Sequence, residues 1–417
     1  MKTFNYKNQE LLCDGVPVAQ LAQQYGTPLY VYSEQALTDA YHHYSKSFKQ
    51  TNPLICYAVK ANGNLSILKH FAALGSGFDI VSGGELERVL AANGKAQKTI
   101  FSGVGKTHEE IAFALEQNIL CFNVESINEL DRIQQVALQK GIKAPISLRI
   151  NPDVDAQTHP YISTGLKENK FGIAYKDALN AYLYAQTLSQ LNIIGIDCHI
   201  GSQLLQVEPL IEAFNRLILL IDKLSEHGIH LHHIDMGGGL GIPYHHQETK
   251  PDIEKYAQAI ESTITHKNLQ LILEPGRSLV GNAGILLTQI EFIKKTEDKN
   301  FIIVDAAMND LMRPSLYQAF HEIIPVIDNK EVPPITADIV GPICESGDFL
   351  GKDRTLSVQE QDYLAIKSAG AYASSMASNY NTRPKAAEVL ITKNNQARLI
   401  RKRETLFQLL ENEQTCL

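Results

Sequence analysis

The chain has 417 residues, of which 44% are hydrophobic and 20% are charged, and this length and composition predict a soluble globular protein of two domains. The net charge of −8 argues against nucleic acid as a partner, and six scattered cysteines without a close pair argue against a zinc site and a disulfide framework, so no metal is expected. A polar N-terminus and the lack of a long apolar run predict no signal peptide, no membrane span and a cytoplasmic location.

From about residue 54 to residue 275, short apolar segments alternate with segments of helical periodicity. The apolar segments are nearly continuous, which is typical of a parallel sheet covered by helices. Eight strands are predicted, at residues 54–59, 78–81, 99–102, 119–124, 145–150, 193–199, 232–236 and 269–274. The helices predicted between them include residues 64–74, 84–92, 108–117, 126–139, 209–226 and 253–266.

Two of these helices begin with capping signals. Thr107 precedes Glu109 and Glu110, and Ser126 precedes Glu129 by three residues, which predicts a capping box. Eight strand–helix units in succession predict a (β/α)8 barrel of the α/β class. A doubly wound open sheet is the competing interpretation.

After residue 275 the helical periodicity ends. Strands are predicted at residues 284–294, 301–304, 335–340, 363–366, 388–392 and 397–401, with glycine and proline between them. Because the first thirty or so residues also lie outside the repeat, we predict a β-rich domain built from both chain ends. The predicted barrel is residues 33–276, and the predicted β-rich domain is residues 1–32 and 277–417.

Residues with useful chemistry follow several predicted strands, where a barrel places its active site. Lys60 directly follows the first strand, where a desolvated amine can form a Schiff base, although a solvated loop lysine has the same pattern. Asp79 ends the second strand. His199 and Ser202 follow the sixth, and His199 either lies against an aromatic cofactor or is a hydrogen-bonded core residue.

The last two strands end in a glycine-rich run and a carboxylate. Residues 237–241, Gly-Gly-Gly-Leu-Gly, follow the seventh strand, the place where barrel phosphate sites recur. The eighth strand runs into Glu274, Pro275, Gly276 and Arg277. A buried Glu274 could keep a pyridine nitrogen protonated, whereas the simpler alternative is an acidic residue that opens a turn. With Lys60, these features favour a pyridoxal-phosphate site.

At these positions the sequence resembles the fold type III pyridoxal-phosphate-dependent decarboxylases, which share their barrel with alanine racemase. The resemblance covers essentially the whole chain. It implies that Lys60, in Tyr-Ala-Val-Lys-Ala-Asn at residues 57–62, carries the cofactor and that His199 stacks on its ring. The cofactor contacts expected on this basis are Lys60, Asp79, His199, Ser202, Gly239, Glu274, Pro275, Gly276, Arg277 and Tyr372.

Further segments are similar to the branch of this family that acts on diaminopimelate. They lie at residues 151–154, 158–159, 163–165, 170–172, 308–314 and 341–348. The last, Gly-Pro-Ile-Cys-Glu-Ser-Gly-Asp, is the most specific. The resemblance therefore implies a carboxy-lyase that converts meso-2,6-diaminopimelate to L-lysine, the last step of lysine biosynthesis.

The resemblance also assigns roles outside the barrel. Cys344 is expected to protonate the carbon that loses CO₂, and a homodimer is implied in which Cys344 and Glu345 reach into the neighbouring subunit's site. Taken by themselves, Cys344 would be a structural cysteine and Arg313 a surface charge. The substrate-binding residues implied are Arg277, Arg313, Tyr317, Glu345 and Tyr372.

Three alternatives stay open. An enzyme like alanine racemase needs a second base, usually tyrosine, where this chain has Cys344 and Glu345. Ornithine, arginine or carboxynorspermidine are other substrates for a decarboxylase of this kind. A non-catalytic homologue would be expected to lack Lys60 or Cys344, and this chain has both.

Overall fold

A computed structural model describes residues 3–155 and 170–417. The segments expected to mark the diaminopimelate branch at Thr158, His159, Ser163, Thr164 and Gly165 lie outside the described residues. The chain forms two compact units. The barrel unit consists of Tyr41–Ile242 and Thr249–Ser278, and the β unit of Met1–Ala40, Pro243–Glu248 and Leu279–Leu417. Within the two described ranges, no helix combines the length and the apolar character needed to cross a bilayer.

The strands of the described residues are numbered in chain order. They are β1 Phe4–Lys7, β2 Glu10–Cys13, β3 Val16–Pro17, β4 Leu29–Ser33, β5 Leu54–Ala58, β6 Gly77–Ile80, β7 Thr99–Phe101, β8 Cys121–Val124, β9 Ala144–Asn151, β10 Ile173–Ala174, β11 Leu191–Asp197, β12 His233–Asp235, β13 Gln270–Leu273, β14 Gly284–Lys295, β15 Asn300–Val304, β16 Ile323–Pro325, β17 Ile335–Val340, β18 Phe349–Leu356, β19 Tyr363–Ile366, β20 Ala387–Ile391 and β21 Ala397–Arg401.

The α-helices are numbered in the same way. They are α1 Val18–Tyr25, α2 Glu34–Ser47, α3 Leu65–Ala73, α4 Gly83–Ala91, α5 His108–Glu116, α6 Ile127–Lys140, α7 Ala178–Thr187, α8 Glu208–Glu226, α9 Ile253–Ile264, α10 Arg277–Val280, α11 Arg313–Tyr317 and α12 Leu406–Gln414.

The barrel unit is a closed parallel barrel. Its eight strands follow the order β9-β11-β12-β13-β5-β6-β7-β8, and β8 pairs with β9 to close the ring. The pairs Ile272↔Leu54 and Phe122↔Ile146 show the parallel register at two of these junctions. The (β/α)8 prediction is therefore confirmed, and the open sheet is excluded. Because every strand end points the same way, the residues that follow the strands share one rim.

The capping signals are confirmed at one helix and only half confirmed at the other. Thr107 and Glu110 form a complete capping box at the start of α5. At α6 the Ser126 side chain accepts from the Glu129 N–H, but the Glu129 carboxylate accepts from the Glu125 N–H and from Lys106 Nζ. The predicted reciprocal bond to Ser126 is wrong because a buried ammonium draws that carboxylate elsewhere.

The β unit joins the two chain ends in one mixed sheet. Strand β4 lies between β14, its antiparallel partner, and β20, its parallel partner. The hydroxyl of Tyr32 on β4 donates to Glu388 on β20, 356 residues away. The core here includes Leu29, Val31 and Ile285, all fully buried. This confirms the predicted β-rich region built from both chain ends.

Several elements of the β unit were not predicted from the sequence, and β18 and α12 show two different reasons. Strand β18 carries Lys352, Asp353 and Arg354 in its middle, and such a charged run does not resemble a strand. The expectation that helical periodicity ends at residue 275 is wrong at α12, where Thr405 and Gln408 form a capping box. That signal was present in the sequence.

Candidate active site

Lys60 lies at the carboxyl rim of the barrel. The buried strand β5 ends at Ala58, and a 3-10 turn, Val59–Ala61, follows. Val59 and Ala61 are buried in this turn, while the Lys60 side chain is 39% exposed. Its Nζ donates to Asp79 Oδ2 on the adjacent strand β6 at 2.6 Å. A carboxylate that is itself fully buried therefore holds the amine at the rim.

The glycine run after β12 requires glycine. Gly237 and Gly239 have φ angles of +61° and +109°. A Cβ on Gly238 would lie 2.4 Å from the Glu274 carbonyl oxygen. Nearby, Arg277 Nη2 donates to Ser202 Oγ at 3.1 Å. Backbone N–H groups that can be approached closely, together with an arginine, are suited to a phosphate group.

His199 has a defined tautomer. The Gly238 N–H donates to His199 Nδ1 at 3.3 Å, so the proton of the neutral ring is on Nε2. Burial, and then the cations Arg149 and Lys60, lower the pKa of His199 well below its usual value. The ring is therefore neutral beside the glycine run.

Glu274 lies in a cluster of buried carboxylates. Its Oε1 accepts from Asn123 Nδ2 at 3.4 Å, and one oxygen each of Glu274, Asp197 and Asp235 lie within 4.8 Å of one another. Burial, followed by repulsion from Asp235 and Asp79, raises the pKa of Glu274 well above its usual range. Burial raises the pKa of Asp235 to about 7. A positive charge placed here would relieve this repulsion.

These groups fit pyridoxal phosphate. Asp79 Oδ1, Asp197 Oδ1 and Asp235 Oδ2 are buried and have no hydrogen-bond partner among the described residues. A protonated pyridine nitrogen supplies a positive charge beside such carboxylates, and the glycine run suits its phosphate. Three carboxylates at this spacing can also hold a cation, so the expected absence of a metal stays a prediction.

In the β unit, the one-turn helix α11 carries Arg313 and Tyr317. Arg313 is buried, and its Nη1 lies 2.7 Å from His321 Nε2. Its guanidinium carbon is 4.4 Å from the centre of the Tyr244 ring. Ser315 Oγ on the same helix donates to the Gly347 carbonyl at 2.6 Å, which ties α11 to the segment that carries Cys344.

A turn at residues 341–348, which we call the acid turn, is built around Asp348. The Asp348 carboxylate accepts from the Met308 N–H at 2.7 Å and from the Ile343 N–H at 2.8 Å. It thereby joins the two motifs that the sequence analysis singled out. Cys344 is exposed, and its N–H donates to Asn381 Oδ1 at 3.0 Å.

Glu345, the other candidate residue of the acid turn, is exposed. The Tyr380 hydroxyl donates to Glu345 Oε2 at 3.2 Å. Together with the Asn381 bond, this contact shows that residues 380–381 hold the Cys344 backbone and the Glu345 side chain.

Tyr372 has a strained backbone. Its φ of +54° is in the left-handed region, which is rare for an aromatic residue. Two residues earlier, a Cβ on Gly370 would lie 1.8 Å from the Val280 carbonyl oxygen. Such strain is concentrated at functional sites, which supports the prediction that Tyr372 is a site residue.

The predicted site residues divide between the units. The barrel unit brings together the cofactor contacts from Lys60 to Arg277, and the β unit contains Arg313, Tyr317, Cys344, Glu345 and Tyr372. The analysis of strand ends missed Arg149, Asp197 and Asp235, although a charge inside an apolar strand is a signal that could have found them. The contacts of His321 and Tyr244 with Arg313 are tertiary and left no such signal.

Comparisons with known proteins point the same way. Residues 34–281 match the family model "Pyridoxal-dependent decarboxylase, pyridoxal binding domain". Over 407 residues the chain is 64% identical to a Neisseria meningitidis protein named diaminopimelate decarboxylase, with 98% of both chains covered. A Helicobacter pylori diaminopimelate decarboxylase solved with L-lysine is 47% identical, covers 96% of this chain and 100% of its own, and has a TM-score of 0.92. The M. jannaschii enzyme, also with L-lysine, is 41% identical over 99% of this chain and 97% of its own, with a TM-score of 0.94.

Proposed function

The chain belongs to the pyridoxal-dependent decarboxylase family, and we propose that it converts meso-2,6-diaminopimelate to L-lysine and CO₂. The observation that carries this proposal is the arrangement at the rim of the barrel. There the Lys60 amine donates to Asp79, and Gly238 of the glycine run approaches the Glu274 backbone closely. The near full-length similarity to diaminopimelate decarboxylases supports the choice of substrate.

Pyridoxal 5′-phosphate is the cofactor we propose. Lys60 would attach to it, Ser202, Gly239 and residues 275–277 would contact its phosphate, and Glu274 would contact its pyridine nitrogen. When bound, the cofactor accepts the electron pair that the departing carboxylate leaves behind. Asp79, His199 and Tyr372 complete the proposed set of contacts.

Two residues of the barrel then control protons and charge. Glu274, whose Oε1 accepts from Asn123, would hold a proton at the pyridine nitrogen of the cofactor. Asp79 would hold the Lys60 amine at the rim, where that amine would attach to the cofactor. In the β unit, Cys344 Sγ delivers a proton to the carbon that has lost CO₂.

The β unit would select the substrate through its charges. A guanidinium binds a carboxylate through parallel N–H bonds, so Arg313 would bind the carboxylate at the end of diaminopimelate that is retained. Glu345, held by Tyr380, would meet the ammonium of that end. Tyr317, Tyr372 and Arg277 are the remaining substrate contacts that we propose.

A homodimer with shared active sites is part of the proposal. Cys344 and Glu345 are exposed on the acid turn, while the backbone of that turn is bonded within its own unit. A rigid turn that presents an acid and a carboxylate outward is suited to complete the site of a second copy. The cytoplasmic location stays a prediction.

The test is a substrate panel. Purified protein with pyridoxal phosphate should release CO₂ and L-lysine from meso-2,6-diaminopimelate, and little CO₂ from ornithine, arginine, carboxynorspermidine or lysine. Equal efficiency on ornithine would contradict the proposed specificity. A protein that binds the cofactor but releases no CO₂ from any of them would indicate the non-catalytic alternative.

A further inference from the structure

The contacts of His321 determine which of its ring nitrogens carries the proton. Nδ1 lies 2.8 Å from the Lys367 carbonyl oxygen, and a carbonyl only accepts, so Nδ1 carries the proton. Nε2 lies 2.7 Å from Arg313 Nη1, and a guanidinium only donates, so Nε2 accepts. His321 is fully buried. It is therefore a neutral acceptor that holds Arg313 without adding a positive charge.

Tyr244 supports the same guanidinium from another direction. Arg313 lies over the Tyr244 ring at 4.4 Å, and the Tyr244 and His321 rings meet edge to face at 5.1 Å. Cation–π contact with a ring face constrains the orientation of the guanidinium plane. The two rings thus orient the plane of Arg313.

Both supporting residues are themselves held. The Glu248 carboxylate accepts from the Tyr244 N–H at 2.8 Å and from the His245 N–H at 3.2 Å, which closes the loop at residues 243–248. Arg354 Nη2 donates to the His321 carbonyl at 3.2 Å. Hydrogen bonds therefore hold the backbone of both residues that contact Arg313.

We propose that His321 and Tyr244 are positioning residues that orient Arg313 toward the carboxylate that the substrate retains. This rests on the proposed function of Arg313. A side chain ordered before binding loses less conformational freedom on binding, so the two residues strengthen recognition of that carboxylate over analogues without it.

The product pair offers a direct binding test. Loss of CO₂ from one end of diaminopimelate leaves L-lysine, which keeps the carboxylate of the other end, whereas 1,5-diaminopentane has none. His321→Asn keeps an amide near the Nδ1 position and removes the acceptor from Arg313. His321→Gln places an amide oxygen near Nε2 and restores it. The two amides therefore differ in which ring nitrogen they replace.

For His321→Asn we expect the inhibition constant of L-lysine and the KM of diaminopimelate to rise about tenfold or more, with kcat changed less. The inhibition constant of 1,5-diaminopentane and the dissociation constant of pyridoxal phosphate should stay the same. His321→Gln should recover most of the loss. Equal effects of the two substitutions, or an equal loss for both ligands, would mean a merely structural role and would overturn the proposal.

Tyr244→Leu tests the second support, with His246→Leu on the same loop as the exposed control. We expect the former to weaken L-lysine binding several-fold and the latter to leave it unchanged. Arg313→Ala distinguishes the proposed carboxylate contact of Arg313 from the proposed positioning role of His321. If it leaves L-lysine binding intact, the proposed contact of Arg313 is wrong; if it weakens binding but His321→Asn does not, only the positioning role is wrong.

Discussion

The barrel unit buries the carboxylates of its candidate site, whereas the β unit exposes two of its candidate residues. Asp79, Asp197, Asp235 and Glu274 are all buried in the barrel unit, and burial, followed by repulsion from the other carboxylates, raises the pKa of Glu274. In the β unit, Arg313 is buried, but Cys344 and Glu345 of the acid turn are exposed. The buried carboxylates of the barrel unit are suited to hold one fixed ligand. The exposed side chains of the acid turn are suited to contact a substrate or a second chain. We therefore propose that most cofactor contacts lie in the barrel unit and most substrate contacts in the β unit, with Tyr372 and Arg277 as the proposed exceptions.

Removal of the barrel amine should have the largest effect. Lys60→Ala should reduce turnover at least about a thousandfold, because no other residue replaces the attached amine. It should also abolish the Schiff-base absorbance near the visible range and the adduct between lysine and cofactor that borohydride reduces. Lys140→Ala is the matched control, since Lys140 is an exposed barrel lysine paired with Glu116. A reducible adduct that persists in Lys60→Ala would move the attachment to another lysine.

Removal of the buried cation of the β unit should spare the cofactor. Loss of one partner of a buried charge pair costs about 3–5 kcal/mol, so Arg313→Ala should lower kcat/KM for meso-2,6-diaminopimelate at least about a hundredfold. The dissociation constant of pyridoxal phosphate should not change. Arg398→Ala, an exposed arginine of the β unit, is the control. Weakened cofactor binding in Arg313→Ala would contradict the proposal that Arg313 contacts only the substrate.

Mixing two inactive variants tests whether each site uses two chains. Lys60→Ala damages the barrel unit, and Cys344→Ala damages the β unit. Random mixing makes about half of the dimers hybrid, each with one intact site, so about a quarter of wild-type activity should return. Activity is measured after joint unfolding and refolding, with each variant refolded alone as the control. If both residues of a site belong to one chain, mixing restores nothing.

The two units also differ in how much of them the sequence predicts. In the barrel most strands are followed by a helix, so local periodicity places the eight strands of the ring within a few residues. In the β unit, β4 pairs with strands hundreds of residues away, and periodicity only indicates which segments are strands. Lys60 and Glu274 were predictable because they follow strands. His321 was not, because its function depends on a contact with Arg313 that folding creates.

Asp235 offers the smallest and most graded test, through the stability of the protein without cofactor. Burial raises the pKa of Asp235 to about 7 from its ordinary 3.8. Between these pH values the folded protein keeps a proton that the unfolded chain has released. This group therefore lowers the free energy of unfolding as pH rises, and its effect becomes constant above about pH 7.

Asp235→Asn removes the titration and keeps an oxygen for the Gly237 N–H. The variant should therefore gain stability over wild type from pH 5 to 7 by at most about 1.4 kcal/mol per pH unit, as measured by urea unfolding. Asp222→Asn, an exposed substitution on α8, is measured in parallel as the control. A difference between variant and wild type that stays constant from pH 5 to 8 would show that Asp235 does not titrate near pH 7, and the raised pKa would then have to be assigned to Asp197 or Glu274.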